Sequence, residues 1–149
     1  MSYEAQIEML TCSDNKQAYN ALKELLLVCE HSNDLYIFFD KFVDMMNNKT
    51  NSFIRTRGLR LIAYHAKWDN ENKINSIIEQ WLSHIEDEKP ITARQCIQDV
   101  IVIAKYKPEL INVILDALGH FDQIYDDSMQ KLVYKDRQKA IKIIRQYTW

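Results

Sequence analysis

Apolar residues in this chain recur in two interleaved sets, each with helical spacing. In the first set, Ala21-Leu22, Gly58-Leu59 and Cys96-Ile97 fall under one another. They are followed by Leu25, Ile62 and Val100, by Leu26, Ala63 and Ile101, and by Cys29, Ala66 and Ala104. These columns recur at i, i+1, i+4, i+5 and i+8, one stripe of an amphipathic helix. In the second set, Phe38, Ile74 and Ile111 head columns continued by Phe42, Ile78 and Leu115 and by Met45, Trp81 and Leu118. The repeat length is 37 residues from Leu22 to Leu59 and 38 from Leu59 to Ile97. A period of that size marks a repeat architecture, in which each unit buries its apolar face against the next.

Polar breaks divide the two sets into hairpins. His31-Ser32-Asn33-Asp34, Lys67-Trp68-Asp69-Asn70 and Lys105-Tyr106-Lys107-Pro108 separate the first helix of each pair from the second. The first two breaks offer Asn or Asp as N-caps, and Pro108 suits a first helical turn. Asn47 to Asn51, Glu86 to Pro90 and Asp122 to Asp127 separate one hairpin from the next. Ile141 and Ile144 match the Leu22 and Leu25 columns, so the last helix reads as half a repeat that closes the stack. The expectation is an all-α chain, one domain over 1–149, with repeats at roughly 13–48, 51–86 and 89–121 and a cap at 127–149.

An arginine near the start of the first helix, a small residue after it and an aliphatic stripe stand in Ile54-Arg55-Thr56-Arg57-Gly58-Leu59-Arg60-Leu61-Ile62 and again in Thr92-Ala93-Arg94-Gln95-Cys96-Ile97. This pattern resembles HEAT repeats. The stretches 55–68, 87–97, 103–110 and 127–131 are similar to a group of small uncharacterised bacterial HEAT-like proteins. The resemblance implies a HEAT/armadillo-like α-α superhelix of three helical hairpins plus a C-terminal capping helix, with the second helices lining the concave side.

Composition narrows the picture. Two glycines and two prolines in 149 residues are too few for the turns of a sandwich or an α/β fold. A formal charge of -2 provides no global attraction to nucleic acid or an anionic membrane, although the first fifty residues carry eight acids against four bases. No apolar run approaches a membrane span, and Met1 to Leu10 is acidic, unlike a basic leader. Cys12, Cys29 and Cys96 are odd in number and widely spaced, which fits a reducing compartment. The expected location is cytoplasmic.

No catalytic constellation stands in the sequence, and the chain reads as no enzyme, with no cofactor and no metal. Cys29 and Cys96 occupy columns that otherwise hold Ala or Gly, so they read as packing residues. His31, His65, His84 and His120 show no metal-ligand spacing, and His65 shares a column with Val28 and Ile103. No phosphate loop, GxSxG or isolated carboxylate pair is present.

Two surfaces remain. Opposite the core stripe of the second helices lie Tyr36 and Asp40, then Glu79, then Asp116 and His120, a polar, mildly acidic groove suited to a basic peptide. On the first helices Tyr64 and Trp68, with Leu27, form an apolar patch edged by Arg57 and Arg60, suited to packing, to a partner or to a homodimer. The expected function is a non-catalytic protein-protein interaction module, an adaptor or scaffold. The alternative is nucleic-acid binding related to DNA repair, since some HEAT-like proteins resemble alkylpurine glycosylases. Its cations are Arg55, Arg57, Arg60 and Arg94 with Lys131, Lys135, Arg137, Lys139, Lys142 and Arg145, most of them away from the groove.

Overall fold

The computed structural model describes residues 2–148. Among them are eight α-helices, four short 3-10 turns and no strand. The helices are α1 (Tyr3–Met9), α2 (Asn15–His31), α3 (Phe39–Met46), α4 (Ser52–Tyr64), α5 (Lys73–Ser83), α6 (Pro90–Tyr106), α7 (Ile111–Leu118) and α8 (Asp127–Arg145). No helix among the described residues is long and apolar enough to cross a membrane. The chain divides into two compact units between Trp68 and Asp69. Helix α4 therefore belongs to one unit and α5 to the other.

Helix starts are set by short polar side chains that satisfy otherwise orphaned amides. Asp14 accepts from the amides of Lys16 and Gln17, Asn51 from those of Phe53 and Ile54, and Asp126 from that of Met129. Pro90 opens α6, where its missing N–H costs nothing. At α5 the N-cap position, Asn72, sits in left-handed backbone at φ 55° and makes no capping bond of its own. Asp69 instead reaches the amides of Lys73 and Ile74, both at 2.9 Å.

In the first unit α4 lies across α3 and α2, and α1 packs on α2. Leu22, Leu25, Phe39, Phe42, Met46, Leu59 and Ile62 are buried there. Gly58 permits the α3–α4 contact: a Cβ at that position would stand 2.6 Å from Phe42 O and 2.7 Å from Met46 N. One expected core position moves in this unit, and in the other Ile101 and Leu115 are only half-buried. Phe38 is only half-buried, and its neighbour Phe39 is in the core. Phe38 belongs to the 3-10 turn Tyr36–Phe38 that precedes α3, while Phe42 and Met45 within α3 keep their expected places in the core.

In the second unit α8 packs on α6 and α7, and α5 on α7. Trp81, Ile97, Val100, Ile103, Ile111, Ile114 and Leu118 form the interior with Val133, Ala140 and Ile144 of α8. Lys107 is buried beside Asp69, its Nζ 3.1 Å from Oδ2, and it also donates to Asn72 Oδ1 at 2.9 Å. This buried pair joins the turn before α5 to the turn before α7.

Candidate functional site

The groove of the second unit follows from two matched helical faces. Glu79, Leu82, Ser83 and Glu86 stand at i, i+3, i+4 and i+7 along α5 and its following turn; Val113, Asp116, Ala117 and His120 stand at the same spacing along α7. Since α5 packs on α7, the two rows face each other across an open depression of about 390 Å³. Leu82, Val113 and Ala117 form an apolar floor, and Glu79, Asp116, Glu86 and His120 a charged rim. One step earlier on the same faces, Asn75 Nδ2 donates to Glu109 Oε2 at 3.0 Å and links the helices. That bond, more than Lys107 nearby, holds the Glu109 carboxyl below its ordinary value.

The charged end of the groove is organised by the loop after α7. Glu86 Oε1 accepts from the amides of Asp122 and Gln123 and stands 3.6 Å from Arg137 Nη2. His120 Nε2 meets Asp122 Oδ2 at 2.7 Å. That hydrogen bond raises the imidazole above its ordinary value, helped by the charges of Asp122 and Glu86 and opposed by Arg137. Ligand atoms of Glu86, His120 and Asp122 lie within 4.8 Å of one another, a grouping that sequence spacing did not reveal. The two amide bonds and the guanidinium already answer the Glu86 charge, so the trio serves to clasp the loop. What the groove offers chemically is an apolar seat beside negative charge. The Ser83 hydroxyl is committed to Gln80 O at 2.6 Å.

Of the residues expected to line a groove, Glu79 and Asp116 come together here. Asp40 is exposed on the first turn of α3 in the other unit, and Tyr36 packs near Phe39 and His65, with ring centres 5.9 and 6.1 Å away. Glu86 was missed because it sits in what reads as an inter-hairpin break; its i+7 relation to Glu79 was the available signal.

The expected basic-edged patch on the first helices needs correction. Arg57 is buried, donating to Leu10 O at 2.7 Å and to Asn15 Oδ1 at 3.1 Å, so it ties the chain around α1 and α2 to α4 and edges no surface. Arg60 lies over the ring of Tyr64, 5.9 Å from its centre, and Trp68 Nε1 donates to Cys29 O at 2.6 Å. Leu27 is exposed. His65 is fully buried, bonded through Nδ1 to Leu61 O at 2.7 Å and stacked on Phe42. Cys29 and Cys96 are buried and in no disulfide, and burial pushes the Cys29 thiol up to about 12.

Comparison of the chain with protein-family models, with curated proteins and with solved structures finds no match.

Proposed function

We propose that the chain is a non-catalytic interaction module of HEAT-like superhelical type, which holds a cationic peptide segment of a protein partner in the α5–α7 groove. The observation that carries this reading is the pairing of an apolar floor with two exposed carboxylates, Glu79 and Asp116. An aliphatic side chain of the peptide rests on Leu82, Val113 and Ala117, where removal from water stabilises it. Lysine or arginine on either side meets the rim, which gives selectivity and speeds encounter more than it adds affinity. A thiol held protonated at Cys29 and a hydroxyl engaged at Ser83 fit a binding role better than a nucleophilic one. Three cysteines outside any disulfide fit a reducing, cytoplasmic setting.

The test is fluorescence anisotropy with a labelled 12-residue peptide of alternating Leu and Lys, beside the same peptide with Glu for Lys. The cationic peptide is expected to bind in the micromolar range, about -8 kcal/mol, and more weakly as salt rises. Glu79→Gln with Asp116→Asn removes two exposed ion pairs, each contributing about 0.2–1 kcal/mol, and weakens binding roughly tenfold. Equal affinity for both peptides, or no response to the double variant, refutes the reading.

A further inference from the structure

The ten cations that would serve a nucleic acid divide sharply in the folded chain. Arg55, Arg57 and Arg137 are buried and donate to backbone carbonyls, of Asn48, Leu10 and Leu118 respectively. Arg94 is held by Asp136, Nε to Oδ2 at 2.6 Å. Arg60 lies over Tyr64. The other five are all on α8 and all exposed: Lys131, Lys135, Lys139, Lys142 and Arg145.

Their spacing makes one surface of them. At 100° per residue the five fall within about a third of the helix circumference, diametrically opposite the buried face of Val133, Arg137, Ala140 and Ile144. From Lys131 to Arg145 the row runs about 21 Å. Surface helices usually intersperse both signs of charge. Here the acids of α8 are Asp127, on the same face one turn before Lys131, and Asp136, which is turned to Arg94, so between Lys131 and Arg145 no carboxylate of the helix interrupts the row. At its far end the row opens on a shallow depression of about 500 Å³ lined by Gln138, Ile141, Lys142, Arg145 and Gln146. On its flank Tyr134 is 54 % exposed, with Phe121 6.0 Å from it between ring centres.

We infer that the exposed face of α8 is a binding surface for single-stranded nucleic acid. The cation row tracks phosphates, the amides of Gln138 and Gln146 donate to phosphate or base edges, and Tyr134 offers a ring on which a base stacks. An anionic membrane would also attract the lysines. A helix lying in a bilayer interface needs an apolar face to insert, however, and that of α8 is already packed on α6 and α7. The site is separate from the α5–α7 groove and does not depend on it.

The experiment is anisotropy with a labelled 20-nucleotide oligothymidylate and the full chain at 50 mM salt, then across a salt series. Binding is expected, with log K falling against log salt at a slope of about -3, as four or five neutralised phosphates would give. Lys131→Gln, Lys135→Gln, Lys139→Gln and Lys142→Gln together should weaken binding at least tenfold and leave the melting temperature unchanged. Tyr134→Ala should weaken it about fivefold or more. Lys23→Gln, Lys41→Gln and Lys49→Gln, exposed lysines of the other unit, should change it less than twofold. The inference is overturned by no binding at 50 mM salt, by equal loss in the Lys23, Lys41 and Lys49 variant, by tighter binding to a duplex of the same length, or by adsorption to phosphatidylserine vesicles without binding of the oligonucleotide.

Discussion

Single residues decide more of this structure than its simple helical pattern implies. Lys107 and Asp69 are each nearly inaccessible and 3.1 Å apart. Bringing two charges out of water gains little net stability when they are paired, but removing one leaves the other stranded. Lys107→Met is therefore expected to cost about 3–5 kcal/mol in urea unfolding. Asp69→Asn in the same background removes the stranded charge while keeping one oxygen acceptor for the first amides of α5, and should recover about half of that loss. No recovery would mean that the pair is not what the lysine supports. Gly58 is limited by space. Alanine there gains about 0.8–1 kcal/mol of helix propensity. Its Cβ would meet backbone atoms of α3 at 2.6–2.7 Å, which cannot swing aside, and overpacking of that kind costs about 1–3 kcal/mol. The contacts are to backbone, so the upper end applies, and Gly58→Ala should be destabilising by roughly 1–2 kcal/mol net in chemical denaturation.

At the scale of elements, α7 depends on a side chain from another helix. Arg137 donates to Leu118 O at 3.1 Å and to the carbonyl of His120, closing the C-terminal end of α7 and lying against Phe121. This positions His120 on the groove rim and sets up a pH response. His120 carries a pKa raised by Asp122 and Glu86, so the folded chain keeps that proton at a pH where the unfolded chain has lost it. Its contribution to stability is complete below the ordinary histidine pKa of about 6.5 and fades as pH rises through the folded value. Peptide binding moves oppositely: loss of the proton removes a positive charge from the rim, so the Leu-Lys peptide should bind more tightly as pH rises through that step. His120→Asn should abolish the pH dependence while the binding itself remains. Much of this was legible in the sequence. The apolar columns mark the helices, and the Ala/Gly/Cys columns mark close packing, as Gly58 and the buried Cys29 and Cys96 bear out. Glu79 and Asp116 come to one groove as their helical faces imply. What periodicity could not carry was the edge of the core at the 3-10 turn Tyr36–Phe38, where Phe39 and not Phe38 lies inside. Nor could it assign charges that leave the surface for a distant carbonyl, as Arg57 and Arg137 do, because those partners are 47 and 19 residues away.

For the whole molecule, the two compact units meet in sequence between Trp68 and Asp69, in the segment that joins α4 to α5. Compact units can open separately, each with its own free energy. The two proposed surfaces lie in the second unit, while Gly58 belongs to the first. The division predicts that damage stays local in native-state hydrogen exchange. Gly58→Ala should speed exchange of the most protected amides in α2 to α4 by roughly an order of magnitude, about 1.4 kcal/mol, with a smaller change in α5 to α8. Lys107→Met should do the reverse. An equal loss of protection through all eight helices in both variants would show one cooperative unit. In that case peptide and oligonucleotide affinities should fall with Gly58→Ala near the melting temperature. If the units open separately, the groove and the α8 surface keep their affinities in Gly58→Ala even where α2 to α4 have begun to unfold.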